Sequence, residues 1–252
     1  MKKPKKDKVD EAAERLKRIV EHPDIISGIH NYCDRWCERC THTKHCTVYK
    51  MEFGETEHGK EREMENEEFW EDLSTMFQVA AKLLHEQMEE MGINPEDIKD
   101  DEPLKLEPDP KSSLPVKTSK EYTMNVSDWL KQNRDKVAKK FETLASINEN
   151  KANCIVDAFE VIQYYFMMVS TKTYRAMIPR DPEHDTDDGR GSAKVALILI
   201  DRSTASWVRL LDYFPEFEDD ILGFLKLLAQ VKKLILETFP NAMDFVRPGF
   251  DE

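Results

Sequence analysis

Several features that mark other folds are scarce in this sequence. Only 8 of its 252 residues are glycine. No run rich in Val, Ile and Thr alternates with polar residues between turns, which is the pattern expected of β-strands. The apolar run VALILI at 195–200 is far too short to span a bilayer, which takes about 20 residues. No apolar stretch follows the lysines at the amino terminus, so we expect no secretory signal. We therefore predict a helical protein of the cytoplasm that does not enter a membrane.

Positive charge is also in deficit. The chain has 37 Lys and Arg against 50 Asp and Glu, a formal net charge of −13. Such a surface repels phosphate backbones, so we expect no nucleic-acid partner. The basic run MKKPKKDK at residues 1–8 is interpreted as a disordered tail. A protein partner or a redox partner remains compatible with the charge.

Helical spacing of apolar residues predicts the fold. The predicted class is all-α, a bundle of about six helices in a single domain from residue 9 to 252. A proline- and acid-rich loop is expected at 93–117, Ser127 is the expected N-cap of the helix after it, and Cys154 is expected in the core. The predicted helices span about 9–22, 67–91, 127–147, 152–178, 192–213 and 217–239.

The cysteines are the strongest functional signal. Four of the five lie within 14 residues, spaced Cys33-x3-Cys37-x2-Cys40-x5-Cys46. Thiols in a reducing compartment bind metals more often than they form disulfides, so segment 30–46 is predicted to hold a metal. Four thiolates suit a [4Fe–4S] cluster or Zn²⁺. We favour the cluster, because one continuous loop carries all four thiols, whereas structural zinc sites usually use two separated pairs.

Three histidines beside the cysteines keep zinc open as an alternative. His30, His42 or His45 could each replace a cysteine as a zinc ligand, and His45 is adjacent to Cys46. Reduced thiols packed as small apolar groups, with no metal, form the remaining interpretation.

Short resemblances accompany this motif. The C-x2-C-x5-C spacing from Cys37 to Cys46 resembles the [4Fe–4S] loops of DNA glycosylases and of some nucleases, but the spacing before it differs. The C-x3-C-x2-C spacing resembles that of radical-SAM enzymes, from which the fourth cysteine departs. The stretches IHNYCDRWCERCTHTKHC and GSAKVALILIDRS resemble a group of uncharacterised bacterial helical proteins. That resemblance implies a shared fold and cysteine site and carries no activity.

Charged residues on two later helices suggest a second candidate site. On the helices at 152–178 and 192–213 they fall on one side, which predicts either a polar pocket or a network of ion pairs. The candidate residues are Asp157, Glu160, Arg175, Lys194, Asp201 and Arg202.

The sequence thus favours one function and leaves two others open. The favoured function is a [4Fe–4S] protein in which the cluster has a structural, electron-transfer or sensing role. The alternatives are a zinc-stabilised interaction protein and an enzyme whose pocket lies between the two charged helices.

Overall fold

Helices are the only regular secondary structure in the described part of the chain. The computed structural model describes residues 5–53, 67–94, 109–179 and 187–251, except for the side chains of 5–7 and 68. Within these ranges there are α-helices and short 3-10 turns and no strand, so the all-α prediction is confirmed. The α-helices are α1 Lys5–Val20, α2 Thr47–Phe53, α3 Glu67–Glu90, α4 Leu114–Ala145, α5 Glu149–Ala176, α6 Asp188–Leu211 and α7 Glu218–Thr238.

Backbone proximity divides the chain into two compact units. The first unit consists of Met1–His30, Arg35–Leu104 and Pro248–Glu252. The second unit consists of Asn31–Asp34 and Lys105–Arg247. The single domain proposed from the sequence stays a prediction.

In the first unit, α1 packs against α3. Val9 and Ala13 of α1 bury themselves against Val79 of α3. Two ion pairs flank this contact, Lys17–Glu86 at 2.8 Å and Lys82–Asp10 at 2.6 Å. Val20, the last residue of α1, is 55% exposed.

Helix α3 also carries apolar side chains that this contact leaves uncovered. Its bounds agree with the predicted 67–91 to within one residue. Many of its apolar side chains, although spaced as on one face of a helix, are exposed to solvent. The exposed apolar residues of α3 are Trp70, Leu73, Met76, Phe77 and Leu84.

In the second unit, α4 to α7 form a four-helix bundle. Each helix packs against the next, and α7 returns to pack against α4. The link at 146–148 is short enough that α4 and α5 run antiparallel. The centre is filled by apolar side chains at less than 1% exposure, including Val126, Ile155, Ile162, Leu199 and Leu228.

Helix α4 corrects two sequence predictions. It begins at Leu114 rather than near Ser127, so Ser127 is not its N-cap. Pro115 occupies the first turn, where the missing N–H of proline removes no helical hydrogen bond. The predicted loop 93–117 therefore ends earlier, with a 3-10 turn at Pro110–Ser112. Residues 95–108 of that loop, and residues 1–4 of the predicted tail, lie outside the described residues.

The other helix boundaries differ from the predicted ones by a few residues. Helix α5 starts at Glu149 because the Asn148 side chain caps it, accepting a hydrogen bond from the Lys151 N–H at 3.0 Å. On this helix Cys154, expected in the core, is exposed. No helix in the described ranges is both long and apolar enough to cross a bilayer.

Candidate functional site

The cysteine segment 30–46 is built from turns rather than from long helices. Between α1 and α2 the chain forms only the 3-10 turns Ile29–Asn31, Cys37–Arg39 and Thr43–His45. The Ile26 N–H donates to the carbonyl of His45 at 3.1 Å and so closes the loop between them. Gly249, at φ +73°, packs so close to Ile26 that a β-carbon there would lie 2.8 Å from Ile26 Cδ1.

Three of the four clustered cysteines stand at the ends of these turns. Cys37 begins one turn, and the Cys40 N–H closes it on the Cys37 carbonyl at 3.2 Å. Cys46 ends the next turn, donating to the Thr43 carbonyl at 3.3 Å. All three thiols are partly buried.

Cys40 has an additional contact at its sulfur. The backbone N–H of His42 donates to Cys40 Sγ at 3.4 Å. Such bonds stabilise a thiolate, and hydrogen bonds to the sulfurs are one of the factors that set the potentials of iron–sulfur clusters.

The residues between Cys33 and Cys40 add strain and positive charge. Arg35 has φ 59°, the left-handed region that costs a non-glycine residue about 1 kcal/mol or more. Such strain concentrates at functional sites. The Arg39 guanidinium lies 4.0 Å from the centre of the Trp36 ring, a cation–π contact.

The nearby histidines differ in what holds them. His45 Nδ1 lies 2.7 Å from the Asp24 carbonyl oxygen, and because a carbonyl only accepts, Nδ1 carries the proton. The Nε2 lone pair is then the atom with which His45 could bind a metal. His42 packs edge-on against Phe250, with ring centres 4.8 Å apart, and His30 lies in the first 3-10 turn.

Cys33 belongs to the second unit, where side-chain contacts hold the residues before and after it. Before it, the Asn31 carbonyl accepts from Lys172 Nζ at 3.0 Å, and the Tyr32 ring lies 4.7 Å from that of Phe245. After it, Asp34 Oδ2 accepts two hydrogen bonds, from Tyr165 Oη at 2.7 Å and from Arg202 Nη1 at 2.6 Å.

The protonation state of Tyr165 fixes the direction of its hydrogen bonds with Asp34 and Arg202. Tyr165 is only 2% exposed. Burial, reinforced by the hydrogen bond to Asp34, raises the pKa of the Tyr165 phenol well above its ordinary value. The phenol is therefore neutral near pH 7 and donates to the carboxylate, while Arg202 Nη1 also donates to Tyr165 Oη at 2.7 Å. Neither Asp34 nor Tyr165 was singled out from the sequence, because no spacing signal links residues so far apart.

The six charged residues of the predicted pocket are distributed over separate contacts. Arg202 is described above, and Glu160 is exposed. Lys194, which is buried, donates to the Phe245 carbonyl at 2.6 Å. The other three form ion pairs: Asp157 with Arg209 at 3.5 Å, Arg175 with Asp188 at 2.8 Å, and Asp201 with Lys232 at 2.6 Å.

The described residues contain no preformed metal centre. No three or more His, Cys, Asp or Glu side chains in these ranges are grouped so that they could hold one ion. None of the five cysteines, all of which lie within the described ranges, is in a disulfide bond. Compared with protein-family models, with curated proteins and with solved structures, the chain matches none of them.

Proposed function

We propose that this protein binds a metal through Cys33, Cys37, Cys40 and Cys46, and that the metal is a [4Fe–4S] cluster with a structural, electron-transfer or sensing role. The observation that carries the proposal is the backbone around Cys40. A thiol at the end of a 3-10 turn accepts a backbone N–H at 3.4 Å, as metal-bound thiolates do.

Three further features support a metal here. The four clustered cysteines are in no disulfide bond and are partly buried. The loop that carries most of them consists of 3-10 turns rather than α-helix, and Arg35 within it has a strained backbone. A metal would supply the stability that the turns alone do not, since metal binding and the ordering of such a segment are coupled.

A cluster suits the ligand set better than a single zinc ion does. Four thiolates in one short loop carry four negative charges, which Fe–S clusters and zinc both tolerate. A cluster offers four iron atoms for four thiols, so the ligands can approach from a wider region than the tetrahedron around one ion. The cations Arg35, Arg39 and Lys44 lie within the same stretch of sequence and offset the charge of the centre.

Anaerobic purification followed by iron, zinc and sulfide analysis tests the proposal. We expect about four irons and four sulfides per chain, with visible absorbance that bleaches on reduction. Cys37→Ser and Cys40→Ser should each lose most of the metal. The matched control is Cys154→Ser, which removes an exposed thiol on α5 and should keep the full metal content. Unchanged metal in both loop variants would contradict the proposal.

The second candidate is a zinc-stabilised interaction protein, and the position of His45 favours it. Histidines that bind metals usually donate their other ring N–H to a carbonyl or carboxylate, as His45 does to the Asp24 carbonyl. A colourless protein with about one zinc per chain, whose zinc content falls in His45→Gln, would establish this second candidate.

The third function considered from the sequence, an enzyme with a pocket between α5 and α6, gains little support. The candidate charges Asp157, Arg175 and Asp201 each have an opposite charge within 3.5 Å. That arrangement is the one expected of a structural network of ion pairs.

A further inference from the structure

Helix α3 separates its apolar and charged residues onto opposite halves. At about 100° per residue, one sector about 140° wide holds apolar residues, with Gln87 as its one polar member. The charged residues of α3 whose side chains are described all fall in the opposite sector. The exposed apolar residues of the first sector are Trp70, Leu73, Met76, Phe77 and Leu84, with Ala80 and Ala81 between them.

Helix α1 packs against the charged half of α3 and not against the apolar one. Lys17 of α1 pairs with Glu86 at 2.8 Å, and Asp10 of α1 pairs with Lys82 at 2.6 Å. Val79, which is 2% exposed, lies on the same side of α3 as these two pairs. The charges of α3 that contact α1 are therefore paired within the chain, while its apolar half is exposed.

The exposed apolar surface of α3 is large enough for a specific interface. Phe77 is 68% exposed, Leu84 58%, Met76 45% and Leu73 37%, and Trp70, which contacts the Phe69 ring, is 53% exposed. Side chains of this size present roughly 150–250 Å² each when fully exposed, so these five leave about 500 Å² per copy. Two copies that meet through this face bury about 1,000 Å² in total, which reaches the size of a biological interface.

The spacing of these residues is that of a helix that packs on another helix. Trp70, Phe77 and Leu84 recur every seven residues, and Leu73 and Ala80 lie three residues after the first two of them. These are the a and d positions of a heptad, whose side chains insert between those of a facing helix. The heptad therefore points to a second helix with the same repeat as the structure that covers this face.

The sizes of the side chains fit a second, antiparallel copy of α3. The midpoint of Glu67–Glu90 lies between residues 78 and 79. Two antiparallel copies that overlap along their whole length then place Phe77 opposite Ala80 and Leu73 opposite Leu84. A large residue thus faces a small one, and leucine faces leucine. A parallel pair would instead place Phe77 opposite Phe77 and Ala80 opposite Ala80, which overfills one layer and underfills the next.

The charge distribution also favours a second copy over a charged partner. The apolar sector offers no ionic group with which a basic or acidic partner could pair. Two copies of a chain with net charge −13 repel each other, but this face brings none of the described charges of α3 into the centre of the contact.

We propose that the protein forms a two-fold symmetric dimer in which the apolar half of α3 packs antiparallel against α3 of a second copy. The interface is isologous, so each copy contributes the same residues. Phe77 of each copy packs against Ala80 of the other, and burial of the apolar side chains supplies the free energy of association.

Sedimentation equilibrium of the full chain under reducing conditions tests the proposal. We expect a particle of twice the 29.5-kDa chain mass that dissociates on dilution. The dimer should tighten as NaCl is added, because salt screens the repulsion between two acidic chains. A single-chain mass at every concentration, or a particle of three or more chains, would overturn the proposal. Binding of a monomeric wild type to phosphatidylcholine vesicles would assign the face to a lipid surface instead.

Paired substitutions test both the face and the antiparallel direction. Phe77→Glu and Ala80→Lys should each raise the dissociation constant at least about 100-fold, because each buries two charges without partners. Their helical circular dichroism should be kept, since both positions are exposed in the single chain. The matched control is Met167→Glu, which makes the same kind of change at a 60% exposed residue of α5 and should leave the dimer intact.

An equimolar mixture of the Phe77→Glu and Ala80→Lys chains should regain the dimer mass. In the antiparallel arrangement Glu faces Lys in one layer of the mixed dimer, and the other layer keeps Phe77 opposite Ala80. A parallel arrangement brings no Glu opposite a Lys. A mixture that stays monomeric would therefore overturn the antiparallel arrangement, and unchanged dimers in both single variants would overturn the assignment to this face.

Discussion

Tyr122 shows how a single buried group makes stability depend on pH. Its side chain is fully buried, and burial raises the pKa of its phenol to about 12. In the unfolded chain the pKa is about 10. Between these values the folded protein keeps a proton that the unfolded chain has lost. The contribution is therefore fully present below pH 10 and is lost as pH rises toward 12.

We expect the free energy of unfolding to fall above pH 10, by up to about 1.4 kcal/mol per pH unit from this residue. Urea unfolding at pH 9, 10 and 11 measures it. Tyr122→Phe is the control, and its stability should fall less steeply with pH. At pH 7 this variant should be about 1–3 kcal/mol less stable, since Trp207 Nε1 loses its acceptor. Equal slopes in both proteins would show that Tyr122 does not titrate in this window.

At the residue scale, the sequence predicted which side chains make polar contacts more easily than which residues they contact. Helical position placed Asp157, Arg175 and Arg202 on polar seams, and the structure shows each in a polar contact. Helical position could not identify Asp34 as the residue that Arg202 contacts, because 168 residues separate them and no periodic pattern connects the two.

Two glycines within helices should respond oppositely to the same substitution. In α6, a β-carbon at Gly191 would overlap the Tyr32 ring and lie 2.8 Å from Phe245 Cζ. In α7, a β-carbon at Gly223 would meet no described atom within 4 Å. Alanine favours helix over glycine by about 1 kcal/mol in both places, so only the surroundings differ.

We expect Gly223→Ala to raise the free energy of unfolding by about 1 kcal/mol. Gly191→Ala should lower it by about 1–3 kcal/mol, because the two rings must move out of a packed position. Chemical denaturation of both variants beside the wild type measures the difference. Two changes of the same sign would mean that the rings yield without strain.

At the element scale, the sequence predicted which helices exist better than where they begin. Helix α3 was placed within one residue of its observed end, because it is long and strongly periodic. Helix α4 starts 13 residues before the predicted Ser127, because a proline at the first turn looks like a loop residue in the sequence. Helix α2, at Thr47–Phe53, is too short to show a period at all.

At the scale of the whole molecule, the net charge of −13 opposes compactness. Raising NaCl from about 10 to about 100 mM shortens the screening length from about 30 to about 10 Å. We therefore expect the free energy of unfolding to rise over this range, as measured by urea denaturation. A fall would mean that exposed ion pairs such as Lys17–Glu86 outweigh the repulsion.

The whole-molecule fold class was predictable because apolar spacing and the shortage of glycine both point to helices. The arrangement of the cysteine segment was not predictable, since 3-10 turns leave no periodic trace.

The two hydrogen bonds that Asp34 accepts have a consequence for the synthesis of the protein. Tyr165 and Arg202, which hold this side chain, are 131 and 168 residues further along the chain. At about 5–20 residues per second, a ribosome needs roughly 8 to 34 seconds to add the longer stretch. During that interval Cys33 has been synthesised but its neighbour has no anchor. The nascent chain thus presents this thiol to oxidants and to metal donors before its final surroundings exist.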